Sequence, residues 1–319
     1  MNPAFSVATF NLFNFAEPPL AYYDAENIYD AAQWQAKCEW TGARLAEMDA
    51  DIVGFQEVFS PQPLAALARE KALPYFALAP GKAECDYIRR KPRVALASRY
   101  PIIQTDTITP CPELKRAMGL TEAFQFSRSP LKVRLHIPGF SDVRVVVVHL
   151  KSPRPAWEPS DVALMADAGI NANTAQPVLG RWGSALQRSA EAAMLYLDFL
   201  RDQQTEPLPT ILMGDLNGDL GSDLLAPVLG GEEAGLRLSD AHDLALYQGD
   251  RDPTHYWGGQ GNVLDHLLLS AQFNAGYGQS MAQVDEVVVW DRHLRFNDAN
   301  VDRMASDHAP VQARISVRS

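Results

Sequence analysis

The run Val143-Arg144-Val145-Val146-Val147-Val148-His149-Leu150 reads as a strand whose apolar residues fall on both faces. A sheet containing such a strand must be covered on both sides. Similar short runs recur at Ser6–Leu12, Asp51–Val58, Arg93–Ser98, Leu131–Ile137, Thr210–Asp215, Val263–Ser270, Val284–Trp290 and Val311–Val317. Two segments have helical spacing instead. Trp34, Cys38, Leu45 and Met48 share one face, and Trp182, Leu186, Ala190, Ala193, Leu197 and Leu200 another, so that Trp182 reads as core. A third helix is expected over Pro61–Leu73, with Ser60 as N-cap and Pro61 at its first position. Sheets packed on each other with helices outside satisfy the covering requirement.

The 319 residues are 47% hydrophobic and 21% charged, which excludes a disordered, collagen-like or coiled-coil chain. No apolar run approaches the ~18 residues a membrane span needs. Met1–Phe15 lacks the basic start and small-residue cleavage site of a signal peptide, so a cytoplasmic location is expected. Three separated cysteines, Cys38, Cys85 and Cys111, argue against a disulfide framework or a zinc cluster. The net charge of −11 argues against a surface that tracks a polyanion everywhere. It leaves room for acidic residues to recruit a divalent cation that in turn receives a phosphate. With no repeat and no low-complexity linker, residues 1–319 are expected to form a single domain. Pro153–Gly180, with four prolines and the Asn171–Thr174 polar cluster, reads as a long connection decorating a site.

Residues able to do chemistry sit at strand ends: Asn11, Glu57, His149, Asp215 with Asn217, Asp265, and Asp307 with His308. Strands of one sheet present corresponding ends at one rim, where distant positions converge. His266 alternates away from Asp265 and reads as structural. The stretch Asp215–Gly221 is not a calcium loop, because glycine stands at its seventh position and Ala226 where a bidentate acid is required. The basic run Arg89-Arg90-Lys91-Pro92-Arg93 reads as a solvated face or a phosphate contact.

Taken in order, Thr9-Phe10-Asn11, Gln56-Glu57-Val58, Val148-His149-Leu150-Lys151-Ser152, Gly214-Asp215-Leu216-Asn217, Leu264-Asp265-His266 and Ser306-Asp307-His308 resemble the endonuclease/exonuclease/phosphatase family. Val94–Ile102 also looks like that family's strand and turn. The resemblance spans about residues 6 to 317. It implies an α/β fold, a four-layer α-β-β-α sandwich of two packed, mostly antiparallel sheets with helices outside, as in DNase I. It also implies hydrolysis of phosphoester bonds with a divalent metal, usually Mg²⁺, with Mn²⁺ or Ca²⁺ as alternatives. Asn11, Glu57 and Asp307 match the metal positions. His308 matches the catalytic histidine and Asp265 the carboxylate that orients it. Asp215 and Asn217 match the positions that orient water and bond the phosphate, and His149 the second histidine; the base is Asp215 or His308.

The family includes nucleases, phosphatases and lipid phosphodiesterases, so the core motifs do not choose a substrate. Histidine at 149 departs from the abasic-site repair branch, where tyrosine is usual. Lys151, Arg154 and Arg188 are candidates for gripping a second phosphate or a strand backbone. Trp157, Trp182, Tyr256 and Trp257 are candidates for stacking on bases. The expectation is a nuclease or phosphodiesterase acting on nucleic acid, with a small or lipid phosphoester as the alternative and a non-catalytic binding module as a remote one.

Overall fold

A computed structural model describes residues 3–81, 87–155, 165, 167–231, 233–247 and 249–318. In chain order the strands are β1 Ala4–Phe15, β2 Ala21–Tyr22, β3 Ile52–Val58, β4 Tyr75–Leu78, β5 Ile88–Arg89, β6 Arg93–Ser98, β7 Ile102–Thr107, β8 Leu131–Ile137, β9 Ser141–His149, β10 Thr210–Asp215, β11 Ser239–Asp240, β12 His255–Trp257, β13 Gln260–Asn262, β14 Asp265–Leu269, β15 Ala282–Val289 and β16 Val311–Val317. The longer helices are α1 Ala31–Met48, α2 Pro61–Glu70 and α4 Ala172–Thr205, with a short α3 at Pro112–Ala117.

Two six-stranded sheets result, ordered β15-β16-β1-β3-β6-β4 and β11-β14-β10-β9-β8-β7. Each has one parallel pair, β1 with β3 and β10 with β9, and is otherwise antiparallel. Side-chain alternation along the strands divides the core into three layers of contact. Val7, Ile52 and Leu96 of the first sheet meet Val145, Val147, Met213 and Leu267 of the second in the space between them. The alternate residues of the same strands, Ala8, Phe10, Val53 and Phe55, face α1 and α2. Val146, Val148, Leu212 and Leu268 face Leu195 and Phe199 of α4. Three apolar layers between four tiers make the chain a four-layer α/β sandwich, and the valine run of β9 feeds two of them.

Two helical expectations change. The buried stripe of α4 runs through Ser184, Arg188, Glu191, Leu195 and Phe199, whereas Trp182 is 62% and Leu186 49% exposed. Polar residues took the inner face in the middle of the helix because they bond the loop beneath, as described below, and Trp182 points outward. The helix also begins well inside the stretch expected to be irregular: Asn171 caps it, its side chain accepting from the Asn173 and Thr174 amides at 3.0 and 3.3 Å. The polar cluster Asn171–Thr174 is thus an N-terminal cap. At α2 the helix starts at Pro61 as expected, but the Ser60 hydroxyl accepts from the Glu17 amide at 2.8 Å and makes no cap bond.

Candidate active site

The carboxyl ends of β1, β3, β9 and β10 meet at one rim of the sandwich. Both parallel pairs point their ends there, bringing Asn11, Glu57, His149 and Asp215 together. Local backbone distortion completes the placement. The registers of β1 with β3 and of β3 with β6 both shift at this rim, between Asn11 and Phe15 and between Phe55 and Val58. Phe13, Asn14, Glu57 and Asn217 all adopt positive φ, 50°, 61°, 61° and 54°, each costing about 1–3 kcal/mol. Such strain persists where the surrounding structure holds it, and here it turns the Glu57 carboxylate into the cleft.

Asp215 occupies the centre. Its position depends on Gly214, whose φ of 148° and close approach to β9 leave no space for a side chain: a Cβ would stand 2.0 Å from the Val148 carbonyl oxygen. Asp215 Oδ2 accepts from Asn11 Nδ2 at 3.0 Å and lies 3.4 Å from His149 Nε2 and 3.9 Å from His308 Nε2. Asp215 Oδ1 accepts from the Asn217 amide at 2.8 Å. Burial pushes the Asp215 carboxyl up to about 7, with the His308 charge opposing the shift.

His308 Nδ1 is 2.8 Å from Asp265 Oδ2. Burial alone would lower the imidazolium's pKa, but the Asp265 and Asp215 carboxylates outweigh it and hold the group well above the usual histidine range. His149 has the opposite fate. Buried, and facing the positive charges of Arg128 and His308, it is held well below the usual range and is neutral. The Ser306 hydroxyl donates to the Asn11 carbonyl at 2.7 Å and accepts from the His308 amide at 3.0 Å, tying the last motif to the first strand.

Glu57 receives the Asn14 amide at 2.9 Å, and burial pushes its carboxyl up, with Asp307 adding repulsion and His308 opposing it. Asp307 carries a buried oxygen, Oδ1, with no hydrogen-bond partner among the described residues. A raised carboxyl beside an unpartnered carboxylate oxygen is a hard-oxygen donor set short of positive charge, which fits a divalent cation of the Mg²⁺ kind. Asn11 has less to offer a metal, since its Oδ1 accepts from the Phe13 amide at 3.0 Å and its Nδ2 serves Asp215.

The residues expected to grip substrate divide. Lys151 Nζ donates to the Ser152 and Arg154 carbonyls at 3.0 and 2.9 Å, and Arg188 Nη1 to the Lys151 carbonyl at 2.9 Å. Glu191 accepts from the Ser127 and Lys151 amides at 2.6 and 2.8 Å. Lys151 Nζ therefore braces the loop after β9 on itself, while Arg188 and Glu191 fasten that loop to α4. The Arg154 carbonyl accepts from Ser184 Oγ at 2.7 Å, while its side chain lies on the exposed surface. Asn217 likewise spends an amide N–H on the Leu150 carbonyl at 3.0 Å. Trp257 is 78% exposed on the hairpin beside the site, and Tyr256 is half-buried. Trp157 and Cys85 lie outside the described residues, as do 156–164 of the expected connection; of the basic run, Arg90 Nη1 donates to the Tyr23 carbonyl at 3.3 Å.

Residues not singled out from sequence also stand at the site. Arg128 donates to the Leu150 carbonyl at 2.9 Å and hydrogen-bonds the Tyr23 side chain, and its charge is felt by Glu57 and His149. Burial pushes the Tyr23 phenol up to about 12. Lys37 of α1 has no exposed surface, and its Nζ has no hydrogen-bond partner among the described residues. Burial pulls its ammonium down to about 7, against the attraction of Asp307 and Glu57. In sequence, Arg128 is one arginine in a loop, and Lys37 sits between the apolar residues Trp34, Cys38 and Trp40; a lysine on that stripe was the available signal.

A model of the Endonuclease/Exonuclease/phosphatase family matches residues 8–308. The chain belongs to that family. Its members are divalent-metal-dependent hydrolases of phosphoester bonds, and the site described here lies within the matched span. The fold is shared with the human Nocturnin catalytic domain with bound sulfate, at 16% identity and a TM-score of 0.60, covering 100% of this chain and 96% of that one. An endonuclease/exonuclease/phosphatase from Bacteroides vulgatus matches at 16% identity and 0.59, covering 99% and 100%. Danio rerio TDP2 complexed with single-strand DNA product matches at 13% and 0.58, covering 99% and 100%. A search of curated protein sequences returned no match. No helix among the described residues is long and apolar enough to cross a membrane.

Proposed function

We propose that this chain, acting as one domain over residues 1–319, is a Mg²⁺-dependent phosphodiesterase that cleaves nucleic acid by in-line attack of water on phosphorus. The observation that carries the reading is the convergence of Asn11, His149 and His308 on Asp215 Oδ2 beside the Glu57 and Asp307 carboxylates. Asp215, poised near neutrality, takes the proton of the attacking water. His308, kept protonated by Asp265, offers Nε2–H to a phosphoryl oxygen where negative charge grows. Neutral His149 donates to a second oxygen or to the leaving group, and Asn217 retains an amide N–H for the phosphate after bonding Leu150. Glu57 and Asp307 would hold the divalent ion, which when bound neutralises charge on the phosphoryl group.

Nucleic acid is favoured by the surroundings of this centre. Arg128 and Arg154 on one side supply positive charge for a flanking phosphate, and Trp257 offers an open ring face for a base. The relative bound to single-strand DNA product supports the same choice.

The test is hydrolysis of labelled single- and double-stranded DNA beside bis-p-nitrophenyl phosphate and p-nitrophenyl phosphate, with Mg²⁺ or EDTA, and His308→Ala as blank. Mg²⁺-dependent DNA cleavage absent from the variant is the expected result. Turnover of the small esters alone would keep the catalytic assignment and move the substrate to a small or lipid phosphoester.

A further inference from the structure

His255 opens β12 immediately beside the centre, and the reading above gives it no task. Its place is firmly set by the backbone. An isolated antiparallel bridge joins His255 to His308, and the Ala309 amide donates to the Thr254 carbonyl at 2.7 Å. Buried Thr254 is anchored in turn, its hydroxyl accepting from the Leu264 and Asp265 amides at 2.9 and 3.1 Å. The two imidazoles therefore lie with ring centroids 5.0 Å apart.

One donor atom each from His255, Asp307 and His308 lies within 4.8 Å of the other two. His308 has Nδ1 engaged by Asp265, which leaves Nε2, 4.0 Å from Asp307 Oδ1. Asp307 Oδ1 and His255 Nδ1 are both buried atoms with no hydrogen-bond partner among the described residues. An unpartnered carboxylate oxygen and an unpartnered imidazole nitrogen beside a second histidine are a set that a cation would complete. Tetrahedral bonds of about 2.0–2.1 Å put donors about 3.3 Å apart, so the Asp307 side chain closes the set by a small rotation. Two imidazoles and one carboxylate are softer than the oxygen set of Glu57, and such sites select Zn²⁺ and its transition-metal neighbours over Mg²⁺.

We propose that His255, Asp307 and His308 form a second metal site, for a borderline-soft divalent ion such as Zn²⁺, and that filling it silences the enzyme. The ion takes the lone pair of His308 Nε2, whose proton leaves to solvent, so the imidazole no longer donates to phosphate. Inhibition, though not binding, rests on the reading of His308 given above.

Two measurements separate them. Zn²⁺ is titrated into Mg²⁺-supported hydrolysis of bis-p-nitrophenyl phosphate by wild type, His255→Ala and His255→Asn. The inhibitory Zn²⁺ concentration should rise at least about tenfold in both variants. Separately, Co²⁺ is added to the same three proteins without substrate and the visible d–d absorption recorded; wild type should show a saturable band that both variants lose. Equal Zn²⁺ inhibition of wild type and variants would place the ion at Glu57 instead and overturn the proposal. An unchanged Co²⁺ band in the variants would overturn it too. If no ester is hydrolysed at all, the proposed function fails, while the Co²⁺ band still decides the site.

Discussion

Asn11 Nδ2 donates to Asp215 Oδ2 at 3.0 Å, a bond between residues 204 positions apart and between the two sheets of the sandwich. It is buried, and it crosses the rim at the point where the two parallel strand pairs end. Holding one lone pair of Oδ2, it leaves the carboxylate the direction that faces the two histidines. The reactive geometry thus depends on how the sheets stack.

Asp215→Asn keeps the shape of the side chain and removes its basicity. Its turnover of bis-p-nitrophenyl phosphate with Mg²⁺ should fall by about 10²–10⁴-fold, with a thermal midpoint close to wild type. A variant retaining more than about a tenth of the rate would exclude Asp215 as the base.

Asp265→Asn removes the carboxylate that supports the His308 imidazolium. The group's folded pKa is raised, so weakening its partner moves deprotonation to lower pH. The alkaline limb of the kcat profile should shift toward neutrality, together with a loss of about 10²-fold or more. An unshifted limb would show that another group sets it.

Arg128→Ala leaves the loop after β9 fastened by Arg188 and Glu191, but withdraws positive charge from the cleft. DNA cleavage should weaken by about tenfold or more, with a smaller effect on p-nitrophenyl phosphate, which carries no flanking phosphate. Equal losses on both substrates would mean that Arg128 acts at the scissile group or through the fold.

The pair Asp240 and His266 gives a stability test away from catalysis. His266 Nδ1 is 3.2 Å from Asp240 Oδ2 and Nε2 is 3.0 Å from the Gly218 carbonyl oxygen, which fixes the loop after Asp215. Burial would raise the Asp240 carboxyl, but His266 and Arg251 outweigh it and hold it below the ordinary range. A depressed folded value means stabilisation that is present above the unfolded pKa of about 3.9 and lost as pH falls through the folded one. Asp240→Asn should cost about 3 kcal/mol at pH 7, and the gap to wild type should narrow as pH falls below about 3.9. Thermal unfolding at pH 7 and pH 3 reads both; a gap that stays constant would contradict the ion pair as its source.

Lys37 and Trp182 show where reading by periodicity stops. Lysine on an apolar helical stripe and tryptophan on its opposite number have clear default places, outside and inside. Each took the other's, because Lys37 lies under the Glu57 and Asp307 carboxylates while α4 spends its inner face on Ser184, Arg188 and Glu191. The short strands Tyr75–Leu78 and Ile102–Thr107 also carried too little alternation to be read.

Sequence by itself called for sheets covered on both faces and placed candidate residues at strand ends, since alternation along a strand is a local property and the valines of β9 require that cover. The order of its motifs determined the family. Only tertiary structure decided the directions in which the pKa values of Asp215, His149 and His308 shift, the inward turn of Glu57 at two register shifts, and the presence of Arg128, Lys37 and His255 at the cleft. These depend on burial and on charges brought close from distant parts of the chain, and neither leaves a pattern in neighbouring residues.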